Sequence, residues 1–298
     1  MNVHIIKGML RLARLWHPMT SLGGERRAFE RLARSRLFRE PVLYTPVTAD
    51  GVPGEWVFPE PGVAGTEGGA ILYIHGGAFV SGSPATHRHL VWWLAREAER
   101  LALVVDYRLA PEHPYPAALE DVMIAYRWMI KQGFSPWRIA VVGDSAGGGL
   151  AVSMFLCLKE RRWPLPGCAV LLCPWTDLSC SSPSFVENAG QDPMVRRDMA
   201  LERARVYAGE TPLHDPGVSP VYGDLSGLPP LLIQVGSGEA LLDDSRRLAE
   251  RARKAGVEVT LDVWPGMVHV WHYMPRLLPE AREALRQAGR FCREHTGG

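Results

Sequence analysis

Apolar residues are spaced along this chain in two ways. Short apolar runs recur at 70–74, 101–105, 138–142, 168–173, 231–235 and 257–263. Such runs, bounded by turn residues, read as strands buried on both faces. Longer segments of interleaved small, charged and apolar residues lie between and after them, at 87–100, 117–132, 146–158, 241–255 and 279–294. These read as helices. Strands alternating with helices predict an α/β protein: a mostly parallel sheet flanked by helices. Upstream, 41–48 and 55–58 read as two further strands joined through Asp50-Gly51, a hairpin signal.

Two stretches stand outside this rhythm. In 1–40, Leu10, Leu12, Leu15 and Trp16 alternate with Lys7, Arg11 and Arg14, and a second basic segment follows Gly23-Gly24. That spacing predicts amphipathic helices. Near 180–215 the chain turns to Pro and Asp, with one helical piece at 196–208. The expected organisation is a main body over 41–298, with N-terminal helices over 1–40 and an insertion at about 180–215 as the pieces of a helical cap.

Composition narrows the partners. The chain has 298 residues, 47% hydrophobic and 22% charged, enough for a large core in a soluble body. A net charge of +1 supplies no field to recruit nucleic acid. The five cysteines are odd in number, and Cys157, Cys168 and Cys173 lie in apolar runs, which argues for reduced, buried thiols. No C-x-x-C occurs, so no structural metal is expected. No apolar run is long enough to span a bilayer, and the first residues do not read as a signal peptide. The expectation is a cytoplasmic protein with no stable membrane association.

Candidate chemistry centres on Gly143-Asp144-Ser145-Ala146-Gly147, set between a buried strand and a helix. A serine on so sharp a turn presents its hydroxyl outward, and the flanking glycines remove Cβ atoms that would clash. Such a hydroxyl needs a histidine, itself held by a carboxylate. In an open α/β sheet these groups collect after strand ends. His269, in the loop after 257–263, is the best-placed base, and His272 is its rival. After 231–235 three acids compete. Glu239 lies in the loop and is the favoured acid, ahead of Asp243. Asp243 and Asp244 fall in the first helical turn, where a carboxylate is already explained by the helix dipole. The order Ser, acid, His is that of α/β-hydrolases.

An oxyanion hole needs converging backbone N–H groups. Ala146 offers one, and the glycine-rich Ile74-His75-Gly76-Gly77-Ala78-Phe79 offers Gly76, Gly77 or Ala78. His75 is read as bracing this loop. His87-x-His89 shows no third metal ligand. Phe79 is ranked first and Trp175 next as pocket aromatics, with Trp271 and Trp16 behind them.

Five motifs carry a resemblance: His75-Gly76-Gly77-Ala78, Asp106-Tyr107-Arg108-Leu109-Ala110-Pro111-Glu112, Gly143-Asp144-Ser145-Ala146-Gly147-Gly148, Gly227-Leu228-Pro229-Pro230 and Pro265-Gly266-Met267-Val268-His269. Together they resemble the bacterial hormone-sensitive-lipase-like esterases of the α/β-hydrolase fold. The resemblance covers most of the chain from about residue 42. It puts the family's nucleophile on Ser145, its base on His269 and its acid on Glu239, where most members have aspartate. It implies a helical cap, hydrolysis of short- to medium-chain acyl esters, no cofactor, a small-molecule ester as partner and a possible homodimer. Ala78 stands where the family usually has a third glycine. Its methyl group narrows the space above the site and is expected to disfavour tertiary-alcohol esters, which a comparison with primary-alcohol esters tests. A receptor on this fold would lack a triad member, and here all three are present. Amide or lactone hydrolysis would use the same residues.

Overall fold

The structure is a computed structural model that describes residues 3–15, 21–35, 40–60 and 68–297. Among the described residues eight strands form one sheet, in the order β1-β2-β4-β3-β5-β6-β7-β8. They are β1 Leu43–Ala49, β2 Val52–Phe58, β3 Ala70–Ile74, β4 Leu101–Val105, β5 Ile139–Asp144, β6 Cys168–Leu172, β7 Leu231–Gly236 and β8 Val259–Trp264. β1 and β2 form the hairpin expected around Asp50-Gly51, and β2 runs antiparallel to β4. From β4 to β8 all pairings are parallel.

The helices are α1 Val3–Leu15, α2 Leu22–Ala33, α3 Pro84–Ala98, α4 Ala117–Lys131, α5 Ala146–Glu160, α6 Ser184–Glu187, α7 Arg197–Ala208, α8 Leu242–Lys254 and α9 Pro279–His295. The alternation read from the sequence is borne out. The α3 segment begins earlier than expected because Ser83 and Thr86 form a reciprocal capping box with Pro84 in the first turn. In α8 the acids Asp243 and Asp244 occupy the first turn, and Arg251, Arg253 and Lys254 the last, which complements the helix dipole.

The central strands are wholly buried, and their alternate residues feed two cores. Leu72, Ile74, Ile139 and Val141 pack on the face carrying Leu150 of α5 and Leu248 of α8. Ile71, Tyr73, Ala140 and Val142 pack on the face carrying Leu90 of α3 and Leu285 of α9. Burying an aliphatic side chain of this size contributes about 1.5–3 kcal/mol, so these two layers dominate stability. The carboxyl ends of β5, β7 and β8 therefore stand at one rigid edge, where the site is built.

Candidate active site

The turn after β5 is held by close backbone approach. A Cβ on Gly143 would lie 2.4 Å from the carbonyl oxygen of Gly147, and one on Gly147 would lie 2.0 Å from that of Ile74. Only glycine fits at both positions. Ser145 between them has φ 53° and ψ −121°, a strained conformation for a residue with a side chain. Its N–H donates to Leu172 O at 2.8 Å and its carbonyl accepts from Trp175 N–H at 2.9 Å, which holds the strain in place.

The structure brings Ser145, His269 and Glu239 together. His269 Nε2 is 2.9 Å from Ser145 Oγ, and His269 Nδ1 is 2.7 Å from Glu239 Oε2. Glu239 Oε1 accepts from Gly236 N–H at 2.5 Å and from the Cys173 thiol at 3.0 Å. His269 lies in the loop after β8 and Glu239 in the loop after β7, as the strand-end rule requires. Burial pulls the imidazole pKa down, but the hydrogen bond and charge of Glu239 outweigh it, so the His269 pKa is raised.

The rivals are engaged elsewhere. His272 Nε2 lies 3.0 Å from Gln234 Oε1, and burial lowers its pKa to about 3. Asp243 accepts from Ser184 N–H at 3.0 Å and pairs with Arg246. Asp244 is buried and accepts from Thr176 N–H, Asp177 N–H and Ser182 Oγ–H. Both acids thus tie α8 to the 176–184 segment, a task beyond the helix-dipole role read from sequence.

In the glycine-rich loop after β3, Gly77, Ala78 and Phe79 all have positive φ, at 115°, 54° and 63°. The Gly76 N–H donates to Asp144 Oδ1 at 2.9 Å, which corrects its place among the oxyanion donors: it is spent holding the loop to the serine turn. The N–H groups of Gly77, Ala78 and Ala146 have no protein acceptor among the described residues. His75 braces the loop, stacked on Tyr107 at 4.1 Å with its carbonyl accepting from Tyr107 Oη–H. Burial lowers its pKa to about 3, so the ring is neutral. Asp144 also accepts from Tyr73 Oη–H at 2.8 Å and lies 3.5 Å from His87 Nε2.

A cavity of about 350 Å³ opens over Ser145 and His269. Trp175 lines it, together with Phe29 and Leu32 of α2, Met194, Met199 of α7 and Tyr273. Phe79 does not, and its placement as a substrate contact is corrected. Its positive φ turns the ring inward, where it stacks on Tyr207 at 3.7 Å. Trp271 is likewise buried, against Trp264 and His272. Trp16 lies outside the described residues. Phe29, Leu32, Met194 and Tyr273 were missed from sequence. Only the amphipathic spacing of α2 could have pointed to the first two.

One set of three potential metal-ligating side chains comes together among the described residues. It is Cys173, Glu239 and His269, with ligand atoms within 4.8 Å of one another. Each is already satisfied by hydrogen bonds within the set. All five cysteines are free. Among the described residues no helix is long and apolar enough to cross a membrane.

Comparison with known proteins agrees with this geometry. Residues 71–273 match the family described as the alpha/beta hydrolase fold. An acetyl-hydrolase of Streptomyces hygroscopicus is 45% identical over 252 residues, covering 84% of this chain and 83% of that protein. An ethyl acetate hydrolase of Pseudomonas putida is 35% identical over 236 residues, covering 76% of this chain and 74% of that one. The crystal structure of an esterase from the bacterial hormone-sensitive lipase family superposes with a TM-score of 0.94 at 41% identity, over 99% of this chain and 98% of that one. The chain belongs to the bacterial hormone-sensitive-lipase family of esterases, carboxylic ester hydrolases with the α/β-hydrolase fold.

Proposed function

We propose that the protein hydrolyses short- to medium-chain acyl esters through an acyl-enzyme on Ser145. The observation that carries this reading is the unbroken line of hydrogen bonds from Ser145 Oγ through the His269 ring to Glu239, ending under the cavity. His269 takes the hydroxyl proton as Ser145 attacks the ester carbonyl. Glu239 holds the imidazole in the tautomer that leaves Nε2 free to accept, and stabilises the imidazolium that forms. The N–H groups of Gly77, Ala78 and Ala146 take the developing oxyanion. His269 then protonates the departing alcohol, and water repeats the cycle on the acyl-enzyme.

The volume supports the chain length. At about 350 Å³ the cavity sits near the small end of ligand sites. One relative is named acetyl-hydrolase and another ethyl acetate hydrolase, names that both point to a short acyl group. We also assign α1, α2 and the segment carrying α6 and α7 to a cap, because α2 and α7 wall the cavity and join through Arg203 and Glu25. Purified protein assayed on p-nitrophenyl esters graded by acyl length tests the proposal. Turnover should peak at short to medium chains and vanish in Ser145→Ala. No turnover of any ester by the folded wild-type protein would overturn it.

A further inference from the structure

Cys173 sits just past β6, buried and outside the acyl-transfer steps. Its thiol does two things at once. It donates to Glu239 Oε1 at 3.0 Å, and its sulfur accepts from Val270 N–H at 3.3 Å. One side chain therefore links the acid to the residue that follows the base.

Both ends of that link need support. Glu239 carries one more methylene than aspartate, hence one more torsion to fix, and its Oε1 is held by the Gly236 N–H at 2.5 Å and by the thiol while Oε2 faces His269. Val270 has φ 45°, a rare conformation for a β-branched residue. Such backbone persists only when its surroundings over-determine it. Its N–H would otherwise be a buried donor without an acceptor. Burial, with the charge of Glu239 beside it, pushes the thiol pKa well above its ordinary value, so the sulfur stays protonated and able to donate.

We propose that Cys173 is a positioning residue for the triad, fixing the Glu239 carboxylate and the His269 loop relative to each other. The proposal rests on the acyl-transfer reading above. It includes no covalent chemistry at sulfur. The charged groups acting on His269 are Glu239, Asp192 and Asp144, and His272 lies nearby but is neutral. Of these, Glu239 is the one the thiol holds.

The test is a set of three variants. Cys173→Ala removes the donor. Cys173→Gly also removes it and suits the positive φ of 51° at this position, so it serves if the alanine variant fails to fold. Cys173→Ser keeps a donor and acceptor. Loss of the donor should lower kcat about tenfold with KM unchanged, the scale of one hydrogen bond to a charged group. The acid limb of the kcat/KM profile should move to lower pH, because a loosened Glu239 no longer holds the imidazole pKa up. Cys173→Ser should restore both. A cavity in the core without positioning would lower thermal stability and leave the limb in place. Wild-type kcat and limb in a folded Cys173→Ala or Cys173→Gly enzyme overturn the proposal, as does a folded Cys173→Ser enzyme that fails to rescue. Failure of the underlying reading shows separately, as undiminished turnover in Ser145→Ala or Glu239→Gln.

Discussion

Below the cavity, Ser145, Glu239 and His269 stand after the ends of three parallel strands, joined by contacts of 2.7 and 2.9 Å. Above it, α2 and α7 meet through the Arg203 and Glu25 side chains, and α2 is pinned to the loops after β3 and β4 by Arg26, which pairs with Glu112 and donates to the carbonyls of Val80 and Ala110. In the floor Glu239 is fully buried and His269 nearly so. The roof is partly exposed, with Leu32 and Met194 facing solvent at its edge. Arg26 and Glu112 are 28% and 56% exposed, a pair that contributes about 1 kcal/mol or less, while Arg203 and Glu25 are only 11% and 16% exposed, so the roof is held by a few side-chain ties where the floor is held by the sheet itself. Rate should therefore reside in the floor, and substrate affinity in the roof.

The largest break in that division is Ser145→Ala. It should lower kcat by about a million-fold, measured against an unchanged thermal transition. Next is Glu239→Gln, expected to cost up to about ten-thousand-fold by releasing the imidazole tautomer. It also carries a pH signature. His269 must be neutral to accept the proton, so activity falls as pH drops through its raised pKa. Burial lowers that pKa, and Glu239 lifts it most, ahead of the charges of Asp192 and Asp144, so in the variant the acid limb should shift to lower pH. A limb that stayed in place would remove Glu239 from the role.

On the roof, Arg203→Met breaks a largely buried ion pair and should raise KM by about tenfold or more, while kcat stays within about twofold. A kcat collapse with KM untouched would show that α7 supports the chemistry directly. The smallest effect is expected of Asp243→Asn. The new amide oxygen still accepts from Ser184 N–H, so activity should hold within about twofold. A collapse there, with Glu239→Gln active, would transfer the acid role to Asp243.

The same division explains what could be read before any coordinates. Strand and helix identities followed from apolar runs because the central strands are buried on both faces and leave no ambiguity of period. Ser145, Glu239 and His269 were legible because strand ends at one sheet edge must converge, which restricts the candidates to a few loops. Gly76 and Phe79 were misjudged because a loop with three consecutive positive φ values redirects its N–H groups and side chains in ways that residue type does not announce. The roof residues Met194 and Tyr273 carry no motif. Met194 reaches the cavity only through the folding of a segment distant in sequence, and Tyr273, four positions past His269, only through the turn that follows the base. Cys173 was legible as a buried thiol, but its bond to Glu239 spans 66 positions and has no local mark.

The serine and its base are 124 positions apart, with the base the later of the two. At synthesis rates of about 5–20 residues per second, Ser145 is made roughly ten seconds before His269. Throughout that interval the emerging polypeptide carries an inert alcohol with no proton acceptor beside it. On the proposed acyl-transfer reading, the chain can hydrolyse esters only once β8 and the loop after it have joined the edge of the sheet.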